Sequence, residues 1–450
     1  MSAMSASDEA ALSRAVASFE APTAALDAIA REFRAQMARG LAGDPSSLKM
    51  LPTFTRQPSG RERGRVVVVD WGGTKGRAGL IELAGGGAVR TLAEEVFTFS
   101  EADKHGAAER VFDVIAAGIG RVVGAPAEGP QPLGFVYSYP ARLERIDRAV
   151  ALPLTKGWSL AGLEGQDVAT LLSDALRRGG LERVRVSAVA NDTVAALALQ
   201  SYRARARDAG ARPADIGLIL GTGTNQAADL GPAGIRNLES GNFDGVTAVE
   251  TAYDAALDRE LTEPRPGAQR FEKMVSGYYL GEILRRVVED LGRGTALFHW
   301  AAAPAFATPF ALDSEHLSHI AADSTAALSG IDARLRQLGV ESTPGERRGL
   351  RDLAGLIARR AARLVAAALL GTLRFLDPEL ADRRTIAVDG SLWGGYPGFA
   401  GLVRAALAEV VGRARADRIE IHFVKDSTSA GAAVIAAVAA GQRSEGCSSA

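Results

Sequence analysis

The sequence is poor in cysteine, in net charge and in long apolar runs, and each shortage excludes a class of protein. Its 450 residues include a single cysteine, Cys447, so no disulfide can form within the chain. The 52 Lys and Arg nearly balance the 53 Asp and Glu, which leaves no bulk attraction to nucleic acid or to an anionic membrane. The longest apolar runs, such as LVAAALLGTL, are shorter than the ~20 residues that span a bilayer. The N-terminal segment also lacks the apolar core of a secretory signal. We therefore expect a cytoplasmic protein whose partners are small molecules.

The chain is long and apolar enough for more than one domain. Its hydrophobic content of 47% can build a large core, and its length predicts two or three domains. Residues 8–42 have apolar residues at helical spacing, and Gly40 and Gly43 predict the end of that helix. After a polar spacer, the run VVVVD predicts a buried strand that ends at Asp70.

From Val66 the same order of elements occurs twice. A strand, a Gly/Thr turn (WGGTK), a second strand, a glycine turn and a third strand follow one another, and the order recurs from Asp215 with the turn GTGTN. The two copies lie roughly 150 positions apart, the size of one domain, so we predict two structural repeats. The alternative is two unrelated hairpins, because Gly-rich hairpins are common in β proteins.

Turns rich in Gly and Thr are typical of phosphate-binding sites. Backbone N–H groups approach a phosphate closely where no Cβ intervenes, and a Thr hydroxyl adds a neutral donor. Neither turn has the GxxxxGK[ST] pattern, and Gln226 breaks a GxGxxG reading of the second turn. A P-loop kinase and a dinucleotide-binding dehydrogenase are therefore both disfavoured.

A series of separated motifs follows along the chain: DWGGTKGR, FVYSYPA, LTKGWSLAGLEGQDVATLL, AVANDTVAAL, IGLILGTGTN, NLESGNF, PGAQRFEKMVSGYYLGEILR and VDGSLW. In these motifs and their order, the chain resembles one family, the eukaryotic-type hexokinases, in a bacterial version that is hexokinase- or glucokinase-like. The resemblance implies an α/β fold, the two-lobed actin-like ATPase (duplicated ribonuclease-H-like) architecture with a cleft between a small and a large domain. It also implies that MgATP phosphorylates the C6 hydroxyl of glucose or a related hexose, with lobe closure on sugar binding.

The same resemblance implies the site residues. The sugar-contact positions are Ser138, Thr155, Lys156, Asn191, Asp192, Asn225, Glu239, Gln269 and Glu272. The nucleotide-contact positions are Asp70, Gly72, Gly73, Thr74, Lys75, Arg77, Gly221, Thr222, Gly223, Gly390, Ser391 and Thr428. Asp192 is the implied general base, and Lys156 the implied neutraliser of charge on the transferred group. No protein cluster is expected to hold a metal; Mg²⁺ would be held by phosphate and water, with Asp70 nearby.

The residue types at these positions also suit sugar binding and phosphoryl transfer when the family resemblance is set aside. A hexose presents hydroxyls that donate and accept, so a mixture of amides, carboxylates and hydroxyls matches it. Phosphoryl transfer needs positioning, charge stabilisation and a carboxylate to take the proton of the attacking hydroxyl. Taken alone, however, Asp192 is also typical of a helix N-cap, because it lies between a β-branched run and an Ala/Leu-rich run.

Several positions depart from the family and keep alternatives open. Lys75 stands where the family has Asn, and it either contacts a phosphate or points to solvent. Ser240 replaces a Trp beside Glu239, which leaves fructose, mannose or an amino sugar open as the substrate. Thr428 replaces a serine in a segment that has also lost two glycines, so a catalytically weak hexose sensor is a second candidate. The spacing HLSH is better explained by a solvated helix face than by a metal site.

The domain boundaries follow from the resemblance alone. Residues 1–64 are expected to form an N-terminal helix and linker on the large domain, and 65–190 the small domain. The large domain is expected to span 191–426, with helix 427–443 returning to the small domain and 444–450 as a disordered tail.

Overall fold

A computed structural model of the chain describes residues 6–72, 75–124, 129–154, 158–295 and 297–448. In this part of the chain, most strands belong to two mixed sheets. In chain order, the strands are β1 (Leu51–Pro52), β2 (Gly64–Trp71), β3 (Lys75–Gly85), β4 (Ala88–Thr98), β5 (Gln131–Tyr137), β6 (Ala141–Arg145), β7 (Arg148–Ala151), β8 (Val184–Ala190), β9 (Ile216–Leu220), β10 (Thr224–Asp229), β11 (Ile235–Asn237), β12 (Arg384–Asp389) and β13 (Ile419–Phe423).

The two sheets have the same topology. The first has the order β4-β3-β2-β5-β8, in which β2, β3 and β4 form an antiparallel meander while β5 and β8 add in parallel. The second has the order β1-β11-β10-β9-β12-β13, where β9, β10 and β11 repeat the meander and β12 and β13 repeat the parallel strands. The short β1 pairs with β11 at the edge, and β6 and β7 form a separate hairpin. The predicted repeat is therefore confirmed, and both Gly/Thr turns join the first two strands of a copy.

Helices pack around and between the sheets. In chain order, they are α1 (Ala6–Ser18), α2 (Thr23–Ala42), α3 (Glu101–Lys104), α4 (Ala108–Val123), α5 (Val168–Arg178), α6 (Asp192–Arg207), α7 (Ala252–Glu260), α8 (Arg270–Val275), α9 (Gly277–Gly294), α10 (Pro304–Ala307), α11 (Ser314–Ala322), α12 (Ser329–Gln337), α13 (Pro344–Leu376), α14 (Ser391–Gly395), α15 (Phe399–Val411), α16 (Arg413–Ala416) and α17 (Ser427–Ser448). No helix in the described ranges is both long and apolar enough to cross a membrane.

The N-terminal segment forms two helices where the sequence predicts one. The break falls before α2, where Pro22 is extended and lacks the N–H that a continuing helix would use. The end of α2 is as predicted at Gly43, whose positive φ of 84° lets its N–H bond the carbonyls of Arg39 and Gly40. The helix α2 then packs along the buried α13 and against α15.

Two helices, α6 and α17, lie between the sheets. The helix α6 contacts β9, β10 and β12 of the second sheet, while α17 contacts β2, β5 and β8 of the first sheet and lies against α6. Glycine makes these contacts close: a Cβ on Gly431 would lie 2.0 Å from the carbonyl oxygen of Ala195, and one on Gly217 would lie 2.1 Å from that of Thr193. The backbone of α17 is helical to Ser448, beyond the residue 443 at which the last helix is expected to end.

Candidate functional site

The parallel strands of the first sheet bring three predicted segments to one edge. The strands β2, β5 and β8 run parallel, so their carboxyl ends meet at the same edge of the sheet. Asp70 and Gly72 lie at the end of β2, Ser138 directly follows β5, and Asn191 directly follows β8. The structure thus brings together residues that are more than a hundred positions apart.

The first Gly/Thr turn is held by its backbone and by a buried tyrosine. The N–H of Gly72 donates to the carbonyl of Lys75 at 3.1 Å, and the hydroxyl of Tyr139 donates to the carbonyl of Gly72 at 3.1 Å. Burial raises the pKa of Tyr139, with smaller contributions from Tyr137 and Asp70, so its hydroxyl stays protonated and able to donate. Trp71 packs against both tyrosines and against Trp158, which makes Trp158 a packing residue. Gly73 and Thr74, the middle of this predicted phosphate loop, lie outside the described residues.

The two cations of the first turn are both exposed. Lys75 begins β3 with an exposed side chain, so it is available to solvent and to a ligand alike. Arg77, two residues along the strand, pairs with Glu94 on β4, with Nη1 and Oε2 3.4 Å apart. This pair is half-exposed and therefore weak, so it can give way to a more strongly charged partner.

In the Asn-Asp pair, Asn191 caps the helix α6 and Asp192 is its first residue. Asn191 is the N-cap of α6, and its side chain accepts from the backbone N–H of Thr193 at 2.9 Å. Asp192 is the first helical residue, with Oδ1 2.8 Å from the same N–H. Both side chains are half-buried. The cap is thus supplied by Asn191, and the carboxylate of Asp192 lies at the N-terminal end of the helix, where the helix dipole is positive.

The second Gly/Thr turn occupies the matching position on the second sheet. Its own backbone closes it, with the N–H of Gly221 donating to the carbonyl of Gly223 at 2.9 Å. The N–H of Gly277, at the start of α9, donates to the carbonyl of Gly221 at 2.7 Å, and a Cβ on Gly390 would lie 2.3 Å from the carbonyl oxygen of Leu220. Gly390 and Ser391, which directly follow β12, therefore pack on this turn.

An aspartate that the sequence reading missed ties this region to α17. Asp389, the last residue of β12, accepts from the N–H of Gly390 at 2.7 Å through Oδ1. Its Oδ2 accepts from the backbone N–H and the hydroxyl of Ser427 at 2.6 and 2.7 Å. Ser427 is fully buried, while the neighbouring Thr428, the predicted nucleotide contact, is half-buried on the first turn of α17. Ser427 therefore supplies the hydroxyl that holds this loop together.

Predicted sugar-contact residues lie beside the second turn. The N–H of Thr224 donates to Oε2 of Glu272 at 2.8 Å, and a Cβ on Gly223 would lie 2.6 Å from the same oxygen. Asn225 and Glu239 are joined through Asn237, another residue that the sequence reading missed. Asn237 ends β11, two residues before Glu239.

Two of these residues have strained backbone. Glu239 and Gln269 both have φ near +52°, a left-handed conformation that non-glycine residues adopt rarely and often at functional sites. The loop before Gln269 is fixed by the buried pair of Lys273 and Asp258, 2.6 Å apart, with Asp258 also accepting from the N–H of Gly267. The structure thus holds Gln269 at the start of α8, one turn from Glu272.

Other predictions fall outside the described residues or at buried positions. Thr155 and Lys156 are not among the residues that the structure describes. Ser240 is fully buried, so the position at which the family has Trp is a core position here. His316 caps α11 together with Asp313. Across the described ranges, no group of three or more His, Cys, Asp and Glu is arranged to hold a metal.

Comparisons with known proteins agree on one family. Two family models, both described as hexokinase, match residues 11–202 and 215–438. Among curated relatives, the chloroplastic hexokinase-4 of Oryza sativa subsp. japonica is 34% identical, over 93% of this chain and 86% of that protein. Hexokinase-1 of Schizosaccharomyces pombe is 31% identical, over 94% and 89%.

Solved structures give the same result for the fold. A crystal structure of a hexokinase has a TM-score of 0.85 at 27% identity and covers 96% of this chain and all of the other. The hexokinase of Schistosoma mansoni complexed with glucose has a TM-score of 0.81 at 26% identity, with the same coverage. The predicted two-lobed actin-like fold is therefore confirmed.

Proposed function

The chain belongs to the hexokinase family, and from that premise we propose that it transfers the γ-phosphoryl group of MgATP to the C6 hydroxyl of glucose or a related hexose. Membership of this family by itself identifies the protein as a sugar kinase. The observation that carries the finer proposal is the coincidence of two matching Gly/Thr turns with a cluster of amides and carboxylates beside the second of them.

Asp192 is the general base in this proposal. Its carboxylate stands at the N-terminus of α6 and at the carboxyl edge of the first sheet. Because Asn191 caps the helix, Asp192 can accept the proton of the attacking hydroxyl without leaving the helix end uncapped. Lys156 is proposed to neutralise charge on the transferred group.

The sugar is proposed to bind through Ser138, Thr155, Asn191, Asn225, Glu239, Gln269 and Glu272. Their amide, hydroxyl and carboxylate groups match the donors and acceptors of a ring of hydroxyls. A sugar that lacks one of those hydroxyls leaves a polar side chain unpaired, which penalises the wrong substrate.

The triphosphate is proposed to lie across both Gly/Thr turns, with the nucleoside against Gly390, Ser391 and Thr428. Lys75 and Arg77 are exposed at the first turn and add positive charge there. Asp70 offers a carboxylate oxygen at the same turn, a ligand type that Mg²⁺ prefers, although no three-residue cage is found in the described ranges. Mg²⁺ would then be held mainly by phosphate and water, and would neutralise charge on the β- and γ-phosphates.

A coupled assay of ADP release tests the substrate. ATP consumption is measured with glucose, fructose, mannose and N-acetylglucosamine, each against a no-sugar control. Turnover that is greatest with glucose and needs added Mg²⁺ is expected. Turnover confined to another sugar would replace glucose as the substrate, and binding without turnover for every sugar would contradict the kinase assignment and favour a sensor. A cytoplasmic location remains a prediction from the single cysteine and is tested by cell fractionation.

A further inference from the structure

The buried side chain of Asn237 joins two of the proposed sugar contacts. It ends β11 and is only 7% exposed. Its Oδ1 accepts from Nδ2 of Asn225 at 2.8 Å and from the backbone N–H of Glu239 at 3.1 Å. Its Nδ2 donates to Oε1 of Glu239 at 2.7 Å. One amide group thus holds Asn225 on one side and Glu239 on the other.

Backbone donors fix which way each amide points. A backbone N–H can only donate, so the atom that it meets must be an oxygen. The N–H of Glu239 therefore identifies Oδ1 of Asn237, while Oδ1 of Asn225 is identified by the N–H groups of Gln226 and Ser240, at 2.7 and 3.0 Å. Neither amide can flip without placing a donor against a donor.

This network leaves Asn225 able only to donate a hydrogen bond to a ligand, and Glu239 able only to accept one. The oxygen of Asn225 is occupied by two backbone donors, so the group it can offer to a ligand is the second N–H of Nδ2, which meets no acceptor in the described part of the chain. The carboxylate of Glu239 can only accept, and its Oε1 accepts from Nδ2 of Asn237. Both side chains bond to the same amide, which makes them neighbours around Asn237.

We propose that Asn237 is a positioning residue that sets the donor and acceptor polarity of Asn225 and Glu239, and so selects a sugar hydroxyl at this subsite. The inference rests on the proposed function and deepens it. A hydroxyl accepts from Asn225 and donates to Glu239 at once, whereas a fluorine or a keto oxygen can only accept. An ammonium group can only donate, and it therefore loses the contact with Asn225.

Variants at Asn237 test the positioning role. Asn237→Ala removes the link, and we expect the KM for the sugar to rise about 10- to 100-fold, because hydrogen bonds to charged groups are the strong ones. The KM for ATP should stay unchanged. Asn242→Ala is the matched control, since Asn242 donates to the backbone carbonyl of Glu239 at 3.1 Å without touching either side chain. Its sugar KM should change little.

Asn237→Asp adds a second measurement, the pH dependence of sugar affinity, which would not change if Asn237 had a purely structural role. The new carboxylate still accepts from Asn225 and from the N–H of Glu239, but it replaces the donor that faces Oε1 of Glu239. Two carboxylates in contact hold a shared proton at low pH, which restores a donor. Sugar affinity of this variant, measured by calorimetry, should therefore improve as the pH is lowered, while that of Asn237→Ala should not.

Fluorinated sugars test the polarity itself. We expect one ring position at which replacing the hydroxyl by fluorine raises the KM of the wild type at least about tenfold, since fluorine cannot donate to Glu239. The same replacement should cost Asn237→Ala much less. An Asn237→Ala variant that melts like the wild type but keeps the wild-type sugar KM would overturn the inference. Absence of sugar-dependent turnover in the wild type would instead overturn the proposed function.

Discussion

A methyl group on Gly223 offers a sharp test of how the second turn and the sugar site are joined. A Cβ at this position would lie 2.6 Å from Oε2 of Glu272. That oxygen also accepts from the N–H of Thr224 at 2.8 Å. Gly223→Ala therefore pushes on a carboxylate oxygen that the N–H of the next residue already binds.

The size of the effect follows from the distance. Carbon and oxygen atoms that are not bonded settle at about 3.5 Å, so the carboxylate must move by roughly 1 Å. Displacements of that size at a reacting centre lower rates by about 100-fold. We therefore expect kcat/KM for the sugar to fall by about two orders of magnitude, close to 2.7 kcal/mol, with little change in the melting temperature.

Steady-state kinetics with the sugar as the varied substrate measures this directly. Gly401→Ala on α15 is the control, because its added methyl meets nothing within 4 Å. That control should keep the wild-type kcat/KM. If Gly223→Ala also keeps it, Glu272 is not a sugar contact in the position that the structure gives, and the reasoning is refuted.

Three further predictions concern the parts around the site. Ser427→Ala removes a hydrogen bond to Asp389, and the KM for ATP should rise by roughly fivefold in a normally stable protein; an unchanged KM would contradict a role in the nucleotide loop. Hydrogen bonds from α13 and α2 lower the pKa of Glu409 from its ordinary 4.5 to about 2. Its stabilising effect is therefore present above pH 4.5 and is lost as the pH falls toward 2, so the melting temperature of Glu409→Gln should depend less on pH in that interval than that of the wild type. Gly431→Ala forces a methyl against the backbone of α6 and should destabilise the fold by about 1–3 kcal/mol or more in thermal denaturation. Gly441→Ala, in the same helix and without a neighbour within 4 Å, should not.

The repeat and the turns could be predicted from the sequence because their signals are local. A buried strand, a Gly/Thr turn and a second strand leave their pattern within about a dozen residues, and both copies form as predicted. The family resemblance then supplied positions such as Asp70 and Gly221, which the structure brings to matching edges of the two sheets.

The supporting residues could not be predicted because their partners are distant in the sequence. Asp389 matters through Ser427, 38 positions further along, and Asn237 through Asn225 on another strand. Nothing near either residue identifies that partner. Which member of the Asn-Asp pair caps the helix could not be predicted either. Both residue types are good N-caps, and only the backbone at Asn191 decides between them.

The most direct test of the account is the turnover of Asp192→Asn. In the wild type, the N–H of Thr193 donates to Oδ1 of Asp192 at 2.8 Å, and asparagine keeps both the size of the side chain and an oxygen for this bond. Asparagine cannot, however, take a proton from the sugar. The account predicts that kcat for sugar phosphorylation falls about 100- to 10,000-fold, while calorimetry still shows sugar binding. A variant that retains most of the wild-type kcat would show that Asp192 is not the general base.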